Sequence, residues 1–236
     1  MSAPSTTVTD SSAPDTPLSD TPLSDTPLSD GPESAAPGSA APGSAGNGPS
    51  TKVPEAVEPS TPAPDAVPAI GRFTTVTTPN GPFTVIADAD GRVLASGWSD
   101  DPAQLAALIH RSLRPPTLEE SDELDDLTDA VTAYYAGDLE APSRIPVLQR
   151  SGGTFLGRAW DALRTVEPGR PVTYARFAEL AGEPAAVRAA AAACARNAAA
   201  LFVPCHRVRR SNGSLGGFRY GLETKKWLLD FEAPRD

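Results

Sequence analysis

The spacing of apolar residues changes character along the chain. From Phe73 the segments Phe73-Thr74-Thr75-Val76-Thr77-Thr78, Phe83-Thr84-Val85-Ile86-Ala87 and Val93-Leu94-Ala95-Ser96-Gly97-Trp98 are separated by Pro79-Asn80-Gly81-Pro82 and Asp88-Ala89-Asp90-Gly91. Short β-branched and aromatic runs bounded by Asn-Gly and Asp-Gly pairs predict three strands joined by tight turns. The period then lengthens, predicting helices over Pro102–Leu113 and Ser121–Ala136. In the second, Leu124, Leu127, Val131 and Tyr134 share one face, and its first turn is rich in carboxylates, which suits the positive end of a helix dipole.

A further helical block starts after Gly152. Thr154–Thr165 places Phe155, Ala159, Trp160 and Leu163 on one face and is stopped by Glu167-Pro168-Gly169. Thr173 can cap a short helix over Tyr174–Ala181, and Gly182-Glu183-Pro184 forms a turn into a helix that carries Val187-Arg188 and Ala189–Ala193 and ends near Arg196-Asn197. Helix, glycine-containing turn and helix outline a helix-turn-helix. The alanine coating of the second helix reads two ways: plain helix propensity, or a smooth face able to approach a narrow groove, with Arg188 as its long cationic projection.

Residues 1–70 show neither period. They repeat Thr-Pro-Leu-Ser-Asp from Thr16 to Asp30 and Ala-Ala-Pro-Gly-Ser from Ala35 to Ser44. Such sequence buries too little apolar surface to offset its ordering entropy, so a disordered tail is expected, serving solubility, partner recruitment or nothing. The chain has 236 residues and a net charge of −10, but the charge is unevenly distributed: residues 1–70 carry net −8, residues 71–150 net −7, and residues 151–236, with 13 basic and 8 acidic side chains, net +5. Local charge governs attraction to phosphates, so the C-terminal third remains compatible with a polyanionic partner. There is no signal peptide or long apolar run, which points to the cytoplasm and away from a membrane, and in a reducing compartment Cys194 and Cys205 are expected as free thiols. Two cysteines and a distant His110 are too few ligands for a structural metal.

Chemistry concentrates in Val203-Pro204-Cys205-His206-Arg207-Val208, where a thiol, an imidazole and a guanidinium follow a rigid proline. A thiolate is the reactive form, and basic neighbours lower a cysteine pKa from its free value of about 8.5. Read as a strand, this stretch directs Cys205 and His206 to opposite faces, so a bridging water is needed to connect them.

The stretch Gly153–Glu232 resembles the O6-alkylguanine-DNA alkyltransferase (methylated-DNA–protein-cysteine methyltransferase) family. The resemblance rests on Pro204-Cys205-His206-Arg207-Val208 and, in order, on Gly153-Thr154, Thr173-Tyr174, Arg188-Ala189, Asn197, the glycine-rich Gly213–Gly221 and Lys225–Glu232. Tyr174, Arg188, Asn197 and Glu232 fall where that family places its tyrosine, arginine finger, asparagine hinge and glutamate. A weaker likeness reaches back to Phe73. The implied fold class is α/β (α+β): a disordered tail over 1–70, a ribonuclease-H-like domain over 71–149, and a helical DNA-binding and alkyl-acceptor domain with a helix-turn-helix over 150–236.

The resemblance implies double-stranded DNA carrying O6-alkylguanine as partner and leaves acceptance of O4-alkylthymine open. It implies no cofactor, no obligatory protein partner and a monomer, and leaves cooperative binding to DNA open. Cys205 would accept the alkyl group irreversibly, activated through water by His206, which Glu232 orients. The target base would be flipped out, at a cost of a few kcal/mol. Arg188 would fill the space it leaves, and Tyr174 would contact the base and turn its phosphate. Ala189, Arg196 and Arg207 would meet DNA, and Asn197 would brace the turn before Cys205. Val208, Gly216, Phe218, Arg219 and Cys194 would form the base pocket, with the carbonyls of Cys205 and Val208 accepting from the guanine amino group and the Arg219 N–H facing the leaving oxygen. The chain departs from the family pattern at Ala190, commonly valine, at Ala198, commonly proline, and in its bulky Phe218-Arg219-Tyr220 lid. A lesion sensor that binds without reacting is opposed by Cys205 itself, residues 1–70 hold no cysteine for a zinc module, and an acyl-transferring Cys-His hydrolase would turn over repeatedly.

Overall fold

The computed structural model describes residues 69–234, so the tail read over residues 1–70 lies almost wholly outside the described residues. Strands β1 (Ile70–Thr78), β2 (Gly81–Ala87) and β3 (Val93–Gly97) form an antiparallel meander. Its two turns use Gly81 at φ 105° and Gly91 at φ 74°, backbone that any side chain would strain, which is why the Asn-Gly and Asp-Gly pairs mark them. β4 (Thr117–Glu120) adds to the other side of β1 in parallel, giving the order β3-β2-β1-β4. β4 carries no local strand signal, because Leu118 is its one apolar side chain and its pairing partner is remote.

The meander is covered on both faces. Phe83, Val85 and Ala87 join one apolar cluster with Leu127, Val131 and Tyr134 of α2 (Asp125–Tyr135), whereas Ile86 and Leu94 join another with Leu105, Ile109 and Leu113. The helix read over Pro102–Leu113 is α-helical only over Pro102–Ala106, here α1, capped by the Asp101 carboxylate, which accepts from the Ala103 and Gln104 N–H groups. Beyond it the Arg114 guanidinium donates to the carbonyls of Ala107 and Ile109, so a side chain takes over backbone acceptors that a longer helix would have used internally. The helix read from Ser121 begins instead at Asp125, since the Ser121 N–H still donates to the Phe73 carbonyl along the sheet edge.

The C-terminal part is a helical cluster with a small parallel pair, β5 (Val172–Thr173) and β6 (Val208–Arg209). α3 (Thr154–Arg164), α4 (Tyr174–Leu180) and α5 (Val187–Ala195) pack through Ala159, Leu163, Phe177, Ala178, Ala190 and Ala193. Thr173 caps α4 as read, accepting from the Arg176 N–H at 3.1 Å. The alanines of α5 divide between two tasks: Ala190 and Ala193 are fully buried packing positions, while Ala191 and Ala195 face an open cavity. Small side chains bring α3 close enough for the Trp160 indole N–H to donate to the Ala193 carbonyl at 3.0 Å. α6 (Leu222–Glu232) closes the chain. No helix among the described residues is long and apolar enough to cross a membrane.

The two parts meet along the free edge of β3. Its first half pairs in parallel with Val147 and its second half with Ala199. The Ser96 N–H donates to the Ala198 carbonyl at 2.9 Å, the Ala200 N–H to the Ser96 carbonyl at 3.2 Å, and the Ser96 hydroxyl to the Ala200 carbonyl at 2.8 Å. The segment that leads to Cys205 is thereby laid on the sheet.

Candidate active site

The residues from Asn197 to Val208 are buried throughout. Asn197 closes the loop that begins there: its Nδ2 donates to the Val203 carbonyl at 2.8 Å and its Oδ1 accepts the Ala199 N–H at 3.1 Å. Leu201, inside the loop, holds φ 73°, a left-handed conformation costly for a branched side chain and maintained by the closure around it. Cys205–Arg207 then forms a single 3-10 turn rather than the strand read from sequence. The extended run is confined to Val208–Arg209, so the opposite-face argument for Cys205 and His206 does not apply; the turn itself separates them.

Cys205 sits at the floor of a cavity of about 620 Å³ with 9 % of its surface exposed. Burial pushes its thiol pKa up, opposed by a hydrogen bond from Asn197 and by the charge of Lys225. The resting group is therefore a thiol, not the preformed thiolate that its basic neighbours suggested, and a base must take its proton. His206 is fully buried, and burial holds its pKa below the usual imidazole range against the pull of Glu232. Its Nε2 lies 2.9 Å from Glu232 Oε1. A carboxylate only accepts, so Nε2 carries the proton and Nδ1 the lone pair. Nδ1 is the one buried side-chain polar atom without a hydrogen-bond partner among the described residues.

Glu232 holds four donors. Besides His206, it accepts from Arg207 Nε at 3.0 Å and Nη2 at 2.9 Å and from the Tyr134 hydroxyl at 2.9 Å. Burial works upward on its carboxyl, but His206 and the Arg207 guanidinium together hold the pKa at about 2. Arg207 Nη1 donates to the Val166 carbonyl at 2.6 Å. This corrects the expectation that Arg207 meets DNA: at 4 % exposure its guanidinium is committed to Glu232 and has no surface to offer a phosphate.

Of the other sequence-predicted residues, Tyr174, Arg188, Cys194, Asn197, Phe218 and Arg219 join Cys205 on the cavity wall. Arg188 and Arg196 are exposed and Ala189 is half-buried on α5. Arg219 reaches across to donate to the Ala195 carbonyl at 2.7 Å, at the end of α5. Gly216 has φ 69°, and a Cβ there would lie 3.1 Å from the Tyr174 hydroxyl, so glycine is needed for backbone and space alike. Burial raises the pKa of Cys194, which stays a neutral thiol. The two carbonyls expected to meet a guanine amino group are already in use once each: Cys205 O accepts the Val208 N–H, and Val208 O accepts Lys225 Nζ at 2.6 Å. Each keeps a second lone pair.

Tyr134, Lys225 and Tyr220 also belong to the site, without a motif that marks them in the sequence. Tyr134 counted only as an apolar position on α2, although a buried tyrosine hydroxyl demands a partner. Lys225 falls three and seven residues before Leu228 and Glu232, on the same buried face of α6, so its burial was readable from helical spacing. Tyr220 lines the cavity and donates to the Ser96 carbonyl at 3.1 Å, tying the lid to β3.

The cavity thiol, the neutral imidazole held by Glu232 and the α4–α5 helix pair all fall within residues 154–234, which match the family model described as "6-O-methylguanine DNA methyltransferase, DNA binding domain" and so place the chain among DNA-binding methyltransferases. The chain is 34 % identical over 160 residues to the methylated-DNA–protein-cysteine methyltransferase of Shigella flexneri, covering 66 % of this chain and 92 % of that one. It belongs to the methylated-DNA–protein-cysteine methyltransferase family. The bifunctional transcriptional activator/DNA repair enzyme Ada of Escherichia coli is 43 % identical over 152 residues, 64 % of this chain and 43 % of its own length. Among solved structures, that of Mycobacterium tuberculosis OGT in complex with DNA superimposes with a TM-score of 0.56 at 28 % identity, covering 69 % of this chain and 95 % of the other.

Proposed function

We infer that this protein repairs DNA directly, as a single-use methyltransferase that moves the alkyl group from O6 of an alkylated guanine in duplex DNA to its own Cys205. The observation that carries the reading is the unpaired, buried Nδ1 of a neutral His206 whose other nitrogen is fixed by Glu232, one residue from a protonated thiol at a cavity floor. His206 takes the thiol proton through a water. Sulfur attacks the alkyl carbon in line with the C–O6 bond, an S–C bond forms as the C–O bond breaks, and its electron pair leaves with O6. The guanine is restored on taking up a proton. The product is a thioether, which no group in the site can cleave, so each molecule acts once.

The remaining roles rest on the family and on position. Residues 71–149 act as a ribonuclease-H-like scaffold and 150–236 as the DNA-binding and acceptor domain, with α4 and α5 as its helix-turn-helix. Arg188, exposed at the start of α5, replaces the flipped base, and Ala189, with Ala191 and Ala195, gives a smooth helix surface to the minor groove. Arg196 meets backbone phosphate. Tyr174, Cys194, Val208, Gly216, Phe218 and Arg219 receive the base, the Arg219 N–H facing the leaving oxygen. The protein works in the cytoplasm as a monomer without an obligatory protein partner.

Intact-protein mass spectrometry after incubation with a duplex holding one O6-methylguanine tests the reading. One methyl per protein on Cys205, absent in Cys205→Ser, is the expected result. Binding without mass gain would make the protein a lesion sensor instead, and repeated turnover would make it a hydrolase.

A further inference from the structure

The segments that reach the edge of β3 leave a gap between them. Val93 exchanges backbone hydrogen bonds with Pro146 and Leu148, both at 2.9 Å, whereas Ser96 bonds to Ala198 and Ala200. Between the two the chain departs at Gln149 and the hinge arrives at Asn197-Ala198, and the Gln149 side chain spans the junction. Its Oε1 accepts the Ala198 N–H at 2.9 Å and its Nε2 donates to Asn197 Oδ1 at 3.1 Å. Both amide orientations are fixed by partners of one polarity: a backbone N–H must face Gln149 Oε1, another faces Asn197 Oδ1, and the Val203 carbonyl faces Asn197 Nδ2. Asn197 is 4 % exposed and has no spare geometry: with Oδ1 shared by Gln149 and Ala199, its Nδ2 is aimed at the loop end just before Cys205.

We propose that Gln149 is a positioning residue for the acceptor thiol, clamping the Asn197-Ala198 hinge from the sheet side and so setting where Cys205 sits. It does the work that a ring would otherwise do at position 198. Alanine leaves that backbone free to rotate and leaves a buried N–H to satisfy; Gln149 does both with one amide, linking the sheet to Asn197 and Asn197 to the cysteine loop. Because the Asn197 amide also favours the Cys205 thiolate, loss of the clamp raises the pH at which Cys205 ionises. Proline at 198 is incompatible with the clamp, since its ring would stand where the N–H now meets Gln149 Oε1 at 2.9 Å, and it removes the buried N–H that the clamp satisfies.

The proposal rests on the reading of Cys205 as acceptor, and the experiment separates the two. Gln149→Ala, Ala198→Pro, the double variant and the unaltered protein are compared in three measurements: the rate of methyl uptake from O6-methylguanine duplex, the pH profile of Cys205 alkylation by iodoacetamide mapped at the peptide level without DNA, and thermal unfolding. Each single variant is expected to lose about tenfold in methyl uptake, as small misplacements of a reacting atom do, and the double variant to recover most of it. Gln149→Ala is also expected to move the iodoacetamide profile to higher pH. Methyl uptake in Gln149→Ala within twofold of the unaltered protein, an unshifted iodoacetamide profile, or a double variant no better than the worse single one would overturn the proposal. Thermal unfolding identifies a variant that has failed to fold. In that case Gln149→Glu, which keeps the acceptor for Ala198 and sets an oxygen against Asn197 Oδ1, takes its place with the same expected loss and shift. Should the unaltered protein take up no methyl at all, the functional reading fails while the iodoacetamide arm still judges the clamp.

Discussion

Glu232→Gln tests the buried cluster beneath the active site through its dependence on pH. The carboxylate has a folded pKa of about 2 against an ordinary 4.5, so folding favours its charged form. A depressed carboxyl contributes stability that is fully present above 4.5 and is lost as pH falls toward 2. That interval, at about 1.4 kcal/mol per pH unit, amounts to about 3 kcal/mol. Glutamine keeps the size and an acceptor oxygen but leaves the Arg207 guanidinium buried without a counter-charge, which costs about 3–5 kcal/mol at neutral pH. Denaturant unfolding of both proteins between pH 7 and pH 2.5 gives the two curves. The gap is expected to be widest at neutral pH, to stay constant down to about 4.5 and to narrow below it by most of 3 kcal/mol. Other carboxylates titrate equally in both proteins and cancel in the difference. Parallel curves through that window would refute the account, because they would mean that Glu232 carries no charge worth protecting in the folded state.

Two other substitutions probe the cavity from opposite sides. Arg188→Ala removes an exposed side chain and is expected to leave stability within about 0.5 kcal/mol, while slowing methyl uptake from duplex DNA and sparing uptake from the free O6-methylguanine base; equal loss on both substrates would remove Arg188 from the base-flipping step. Gly97→Ala would drive a Cβ into the Tyr220 hydroxyl, so thermal unfolding should show a loss of about 1–3 kcal/mol, and Tyr220→Ala in the same background should recover part of it.

What could be read from the sequence, and what could not, follows the range of the interactions involved. The meander, its glycine turns, the Thr173 cap and the faces of α2 and α3 are set by neighbours within a few residues, and each was legible, whereas the alanine run of α5 did not say which of its sides is buried. So was the Cys205-His206 pair, because adjacency in sequence is itself the signal. β4 and the early end of α1 depend on Phe73 and Arg114, remote or long-reaching partners that leave no local period. Arg207 shows the same limit at the site. Its sequence neighbourhood is basic and points to a phosphate, whereas its fate is decided by Glu232, 25 positions away, and by Val166, 41 positions away. The thiol behaves likewise: local charge argued for a thiolate, but burial dominates and returns a thiol, next in sequence to an imidazole that burial keeps neutral. Gln149 leaves the faintest trace of all, a polar residue in a connecting segment, and becomes significant only because Ala198 offers an N–H where it passes. A hinge built from two remote amides in place of one local ring is stable only if both segments dock on β3, which makes the scaffold sheet part of what sets the position of the reacting sulfur.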